Sequence, residues 1–164
     1  MERSLTFTFA EQFLYILKNR FMQRVKDLEF FKKIKQIREY EFGTFYFFDG
    51  LVISEMNEGE TFNWSKAEKI IDVAYEVSGK DRPIAYISNR INNYSVVPTD
   101  WLKFYKNRHK LEFYSIVAYN NSGLTSVILE KLFFQDKIRQ FSSLEDAVGW
   151  SVAKINNSEI DQHT

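Results

Sequence analysis

The sequence predicts an α/β protein built around one mixed sheet, and three observations predict it. A Phe/Tyr-rich run from Glu39 to Phe48 is joined to a second apolar run, Leu51 to Met56, by Asp49-Gly50, the strongest short-range hairpin signal. Further on, the compact apolar runs Pro83–Ser88 and Phe113–Tyr119 alternate with stretches of helical period, as buried parallel strands with right-handed crossovers do. The 164 residues, 45% hydrophobic with only two prolines, suit one folded domain with a full apolar core.

Taken in order, the elements are these. After the hairpin comes the polar loop Asn57-Glu58-Gly59-Glu60. Asn63 or Ser65 then caps a helix to about Val77, whose Ala67, Ile70, Ile71, Ala74 and Val77 form one stripe, and Ser78-Gly79 ends it. PIAYIS (Pro83–Ser88) is a buried strand, followed by the loop Asn89 to Pro98. Thr99 or Asp100 opens a helix to about Arg108, with Trp101, Leu102, Phe104 and Tyr105 inward. FYSIVAY (Phe113–Tyr119) is the next strand, Asn120 to Gly123 a turn, and Leu124 to Phe134 a helix. Ile138 to Phe141 is a last short strand. Ser142 or Ser143, with Glu145 or Asp146 completing a capping box, starts a helix to about Ile155. The tail Asn156 to Thr164 is polar and expected to fray.

Charge divides the chain. Lys plus Arg and Asp plus Glu both number 22, yet residues 1–38 hold nine basic against four acidic residues. Within them a helix is predicted from about Ala10 to Ile37, with Leu14, Leu17, Phe21, Val25 and Leu28 on one face. Three readings fit it: a helix packed on the domain or on its copy in a homodimer, a peripheral membrane or partner helix over residues 10–37, or a true start at Met22. Glu11 and Gln12 interrupt the apolar stretch and no small-residue cleavage site follows, so the cytoplasm is the expected compartment. The organisation is a basic helical extension over 1–38, an α/β domain over 39–155 and a polar tail over 156–164.

Several chemistries lack their residues. Without Cys there is no thiol nucleophile, and His109 and His163 are too few for a multi-histidine metal site. The six glycines form no phosphate loop or dinucleotide fingerprint, and no Gly-x-Ser-x-Gly occurs. Zero net charge argues against a general nucleic-acid binder, and no apolar run reaches the roughly 18 residues of a membrane span. No catalytic residue, metal ligand or cofactor is assigned.

The candidate site is a rim of polar loops, because ligands of open α/β sheets bind beyond the carboxyl ends of the strands. Ser88, Asn89, Arg90, Asn92, Asn93, Tyr94 and Ser95 follow one central strand, and Asn120, Asn121 and Ser122 follow the next. Asn and Ser in such loops also serve turn and cap geometry.

The order of elements, carried by RPIAYISNRINNYSVVPTDWLKF (Arg82–Phe104), FYSIVAYNNSGLTSVILEKLFF (Phe113–Phe134) and IRQFSSLEDAVGW (Ile138–Trp150), resembles the STAS fold of SpoIIAA-like anti-sigma-factor antagonists. It looks most like bacterial proteins of the STAS/SEC14 type, over about residues 39–155. The resemblance implies a non-enzymatic regulatory module with a protein partner. It also implies a phosphoacceptor hydroxyl at the helix after the third strand, where Ser88, Ser95 and Thr99 are the candidates. The Asp-Ser-Ser/Thr-Gly pattern of that family is replaced here by Ser88-Asn89-Arg90. Its lipid-binding side implies instead a small apolar or anionic ligand.

Overall fold

The computed structural model describes residues 8–14, 22–107, 111–119 and 138–162. Six strands form one mixed sheet in the order β1-β2-β3-β5-β7-β8: β1 (Gln36–Tyr40), β2 (Gly43–Phe48), β3 (Leu51–Met56), β5 (Ile84–Arg90), β7 (Leu111–Ala118) and β8 (Ile138–Phe141). β1, β2 and β3 are antiparallel neighbours, while β3, β5, β7 and β8 run parallel. Two short strands, β4 (Thr61–Phe62) and β6 (Ser95–Val96), pair separately. The helices that follow the hairpin among the described residues are α1 (Trp64–Ser78), α2 (Trp101–Lys106) and α3 (Leu144–Gln162).

Both faces of the sheet are covered, and alternation along each strand sorts the side chains. Phe45, Phe47, Val52, Met56, Ile84, Tyr86, Tyr114 and Ile116 pack on one face with Ala67, Ile70 and Ala74 of α1. Tyr46, Phe48, Leu51, Ile53, Ala85, Ile87 and Val117 pack on the other with Leu144, Ala147 and Ile155 of α3. This two-sided burial is why β3 and β5 open on consecutive apolar residues, Leu51–Ile53 and Ile84–Ile87.

The local signals act as expected at several points. Asp49-Gly50 closes β2 onto β3, with Gly50 at φ +73°. The Asn63 side chain accepts the Lys66 N–H and caps α1, and Gly79 at φ +85° ends it.

Other expectations are corrected. The run Glu39 to Phe48 is two strands, because the chain reverses at Glu41-Phe42 and pairs Tyr40 with Gly43. Only glycine fits there: a Cβ at Gly43, φ +151°, would stand 2.7 Å from the Glu55 carbonyl oxygen. The helix predicted over Ala10 to Ile37 is not continuous. Residues 9–14 are helical, Val25–Asp27 and Glu29–Lys33 are 3-10 turns, and Gln36 already belongs to β1. Val25 and Leu28, which helical spacing puts on one helix face, pack instead from 3-10 turns onto the sheet beside Tyr46 and Phe48. A Val side chain taken fully out of water contributes about 1.5–3 kcal/mol, more than helical periodicity alone supplies.

The strand expected to stop at Ser88 continues to Arg90. A 3-10 turn, Pro98–Asp100, precedes the short α2. The last helix runs on through residues 156–162 instead of fraying. Arg82 ties this part of the helix to the hairpin turn: its Nε donates to Glu159 of α3 at 2.9 Å and its Nη1 to Asp49. The predicted helix Leu124 to Phe134, the turn at Asn120 to Gly123, and His109 and His163 lie outside the described residues. No described helix is long and apolar enough to cross a membrane.

Candidate functional site

The parallel strands β3, β5 and β7 deliver their carboxyl ends to one side of the sheet, where strand alternation builds two separate polar clusters. Glu55, Asn89 and Tyr119 point to the α3 face. Ser54, Ser88 and Arg90 point to the α1 face.

On the α3 face the centre is Glu55, a carboxylate residue only 6% exposed. Its Oε1 accepts the Val25 N–H at 2.8 Å and the Asn89 Nδ2 at 2.9 Å, and its Oε2 accepts the Tyr46 hydroxyl at 3.2 Å. Asn89 also donates to the Gln23 carbonyl at 2.8 Å. The Tyr119 hydroxyl lies 2.8 Å from Asn89 Oδ1 and 3.0 Å from that same carbonyl. Buried polar groups need such partners, since an unmet donor costs about 1–3 kcal/mol. Burial first, and then the Glu55 charge, push the Tyr46 phenol well above its ordinary range. Burial likewise raises Tyr119, with Glu55 adding to it and the bond to the Gln23 carbonyl opposing it. Both phenols therefore remain neutral donors.

The same segment reaches the last helix. Gln23 Oε1 accepts the Leu144 N–H at 2.9 Å and the Ser143 hydroxyl at 3.3 Å. Ser143 Oγ in turn accepts the Asp146 N–H at 3.4 Å, which is the serine half of the expected capping box.

On the α1 face Ser54 and Tyr86 share a 2.6 Å hydroxyl bond, and Ser88 is bonded to the Tyr94 hydroxyl. Arg90 Nε donates to Ser88 Oγ at 3.2 Å, and its guanidinium lies 4.9 Å from the Tyr94 ring centroid. Ser88 and Asn89 have no exposed surface, and Arg90 and Tyr94 are buried. These four members of the predicted rim are thus wall and floor.

The exposed part of the rim is held by loop-to-loop bonds. Asn92 Nδ2 donates to the Met56 carbonyl at 2.9 Å. The Asn93 N–H donates to Glu58 at 2.8 Å, and its carbonyl accepts from Gly59. β4 pairs with β6, and Thr61 Oγ1 lies 2.9 Å from Ser95 Oγ. Asn93, Ser95 and Thr99 are exposed. Asn120, Asn121 and Ser122 lie outside the described residues.

Under α1 sits an apolar pocket of about 50 Å³, lined by residues including Val52, Ile70, Ala74, Ile84 and Tyr86. Among the described residues no group of three or more His, Asp or Glu is placed to hold a metal ion.

Sequence reasoning missed Gln23, Tyr46, Glu55 and Tyr119. Glu55 had a legible signal, since period-2 alternation puts it on the same face as Leu51 and Ile53. Gln23 had none, because its partners are far away in the chain.

Fold and rim together define an open mixed α/β sheet with ordered polar loops at the carboxyl ends of its parallel strands. No family model, curated protein or solved structure matches the chain.

Proposed function

We propose that this chain is a STAS-like, non-enzymatic interaction module of the cytoplasm that docks a protein partner on the loops beyond β3 and β5. The observation that carries this reading is the zipping of those two loops by the β4–β6 pair and by the Glu58–Asn93 bond. It pre-orders the exposed Asn93, Ser95 and Thr99, so a partner meets them with little entropy left to lose. The buried polar groups beneath are bonded to one another, which suits a scaffold for the rim. On this reading the regulatory hydroxyl is Ser95 or Thr99, both exposed, and not the enclosed Ser88. The apolar pocket under α1, about 50 Å³, falls well short of the roughly 300 Å³ at which small-molecule sites begin, which speaks against a small apolar ligand at that place.

The test is affinity purification of the full chain from its host beside an Asn93→Arg/Ser95→Arg variant of unchanged circular dichroism. A stoichiometric protein retained by the first and lost by the second supports the reading. A copurified mass of a few hundred daltons in native mass spectrometry, with no protein partner, overturns it in favour of ligand binding.

A further inference from the structure

Residues 23–28 lie across the carboxyl ends of β3 and β5 and reach the start of α3, the end of the sheet where open α/β folds take their ligands. They add no strand to the sheet, and single groups hold them instead. Asn89 donates to the Gln23 carbonyl, the Tyr119 hydroxyl lies 3.0 Å from it, and Glu55 accepts the Val25 N–H two residues on. The Leu144 N–H and the Ser143 hydroxyl donate to the Gln23 side chain. Val25 has no exposed surface and Leu28 is buried, whereas Arg24, Lys26 and Asp27 are exposed. The groove thus reads a carboxamide, a peptide C=O, a peptide N–H and two apolar side chains.

The groups that do the reading are held without this segment. Glu55 is bonded to Asn89 at 2.9 Å and to Tyr46 at 3.2 Å, and Asn89 Oδ1 lies 2.8 Å from the Tyr119 hydroxyl. These bonds run from strand to strand, so the sheet itself pre-organises the groove. The segment has less support of its own. Its 3-10 turn, Val25–Asp27, has no side-chain cap, nor has the next, Glu29–Lys33, and Leu28 between them is extended at φ −98° and ψ 146°. Beyond that joint Phe30 packs on Phe48 and Phe31 on Tyr46, with ring centroids 5.3 and 6.3 Å apart. Residues 23–28 can therefore leave while the chain after them stays on the sheet. Another segment must then take their place, because Glu55 and Asn89 are buried and need partners.

We propose that this groove is a peptide-recognition site, which the chain keeps closed with its own residues 23–28 and which a protein partner occupies by exchange. The partner's segment is extended, with a glutamine, an apolar residue of valine size two positions on and a leucine three further. Its glutamine side chain takes the Leu144 N–H, and its main chain takes Asn89 and Glu55. The positions between are free to vary, since Arg24, Lys26 and Asp27 face water. The chain's own segment competes at the roughly millimolar effective concentration of a short linker, so a partner displaces it only by matching every anchor. The exposed rim of Asn93, Ser95 and Thr99 takes no part.

The test is an amide NMR titration of the isotope-labelled full chain with an unlabelled, end-blocked peptide of residues 22–28, up to about 10 mM so as to exceed that effective concentration. The chain's Val25 amide loses its bonded shift, while the Leu144 amide keeps its own because the peptide's glutamine replaces Gln23. A peptide carrying Arg24→Ala displaces equally well, and peptides carrying Gln23→Ala or Val25→Asp do not. A full chain carrying Gln23→Ala, checked for folding by circular dichroism, yields to the native peptide at about fivefold lower concentration. A Val25 amide that stays bonded in both chains at the highest concentration overturns the proposal, as does equal displacement by the altered peptides. Segment exchange between full chains, seen as a dimer by sedimentation without peptide, gives the groove to a second copy and also overturns it.

Discussion

The side-chain oxygen of Gln23 accepts the backbone N–H of Leu144 at 2.9 Å, so a residue ahead of the first strand caps the last helix. The bond closes the α3 face around the polar cluster of Glu55 and Asn89. Removing it leaves a helix N-terminus with one fewer acceptor. Gln23→Ala is expected to cost about 1 kcal/mol, a fall in Tm of about 2–4 °C for a chain this long. An unchanged melting curve would mean the bond contributes nothing in solution.

Deletion of residues 1–21 is expected to leave the body folded, because Gln23 and Val25 make the described bonds that tie the chain ahead of β1 to Glu55, Asn89 and Leu144. Deletion of residues 1–28 removes Gln23, Val25 and Leu28 together and should abolish cooperative unfolding. Thermal denaturation followed by circular dichroism separates the two. Loss of soluble, cooperative protein in the shorter deletion would refute the first expectation.

Glu55 is the acceptor for a backbone N–H, an amide and a phenol at once. Glu55→Ala orphans all three donors in a buried place and is expected to cost about 3 kcal/mol or more. Glu55→Gln keeps the shape and one acceptor, so its cost should be near 1 kcal/mol. Urea titration of both variants measures the contrast, and equal losses would count against a hydrogen-bonding role.

The two raised phenols fix a pH dependence. In the unfolded chain a tyrosine releases its proton around the ordinary value of 10, whereas folded Tyr46 and Tyr119 hold theirs well above it. Above that value the unfolded state binds fewer protons than the folded one, so stability is complete below it and falls as the pH rises further. Tyr46→Phe should flatten part of this alkaline slope. Chemical denaturation at increasing pH gives the slope, and absorbance titration of wild type against variant shows directly whether Tyr46 stays neutral.

The elements legible in the sequence were those specified by near neighbours. Asp49-Gly50 needs only its two flanking runs to form a turn, and Asn63 caps a helix three residues away. Alternating apolar runs and helical stripes were enough for a mixed sheet with parallel strands, because period and connection length decide pairing type. Gly43 stands inside an aromatic run with nothing local to mark a reversal, and its necessity lies in the backbone of Glu55 on the next strand.

What only the tertiary structure decided is where the polar residues went. Ser88 reads as the end of a strand, and Asn89 and Arg90 as loop because polar side chains usually seek water, yet β5 carries all three inside, where Tyr94, Glu55 and Tyr119 bond to Ser88 and Asn89. Gln23 and Leu144 meet across almost the whole chain. Local preference cannot anticipate such a bond, since its partners become neighbours only after the sheet has brought them together. The sequence by itself determined the class of fold, and packing determined which of its polar groups are structure and which are surface.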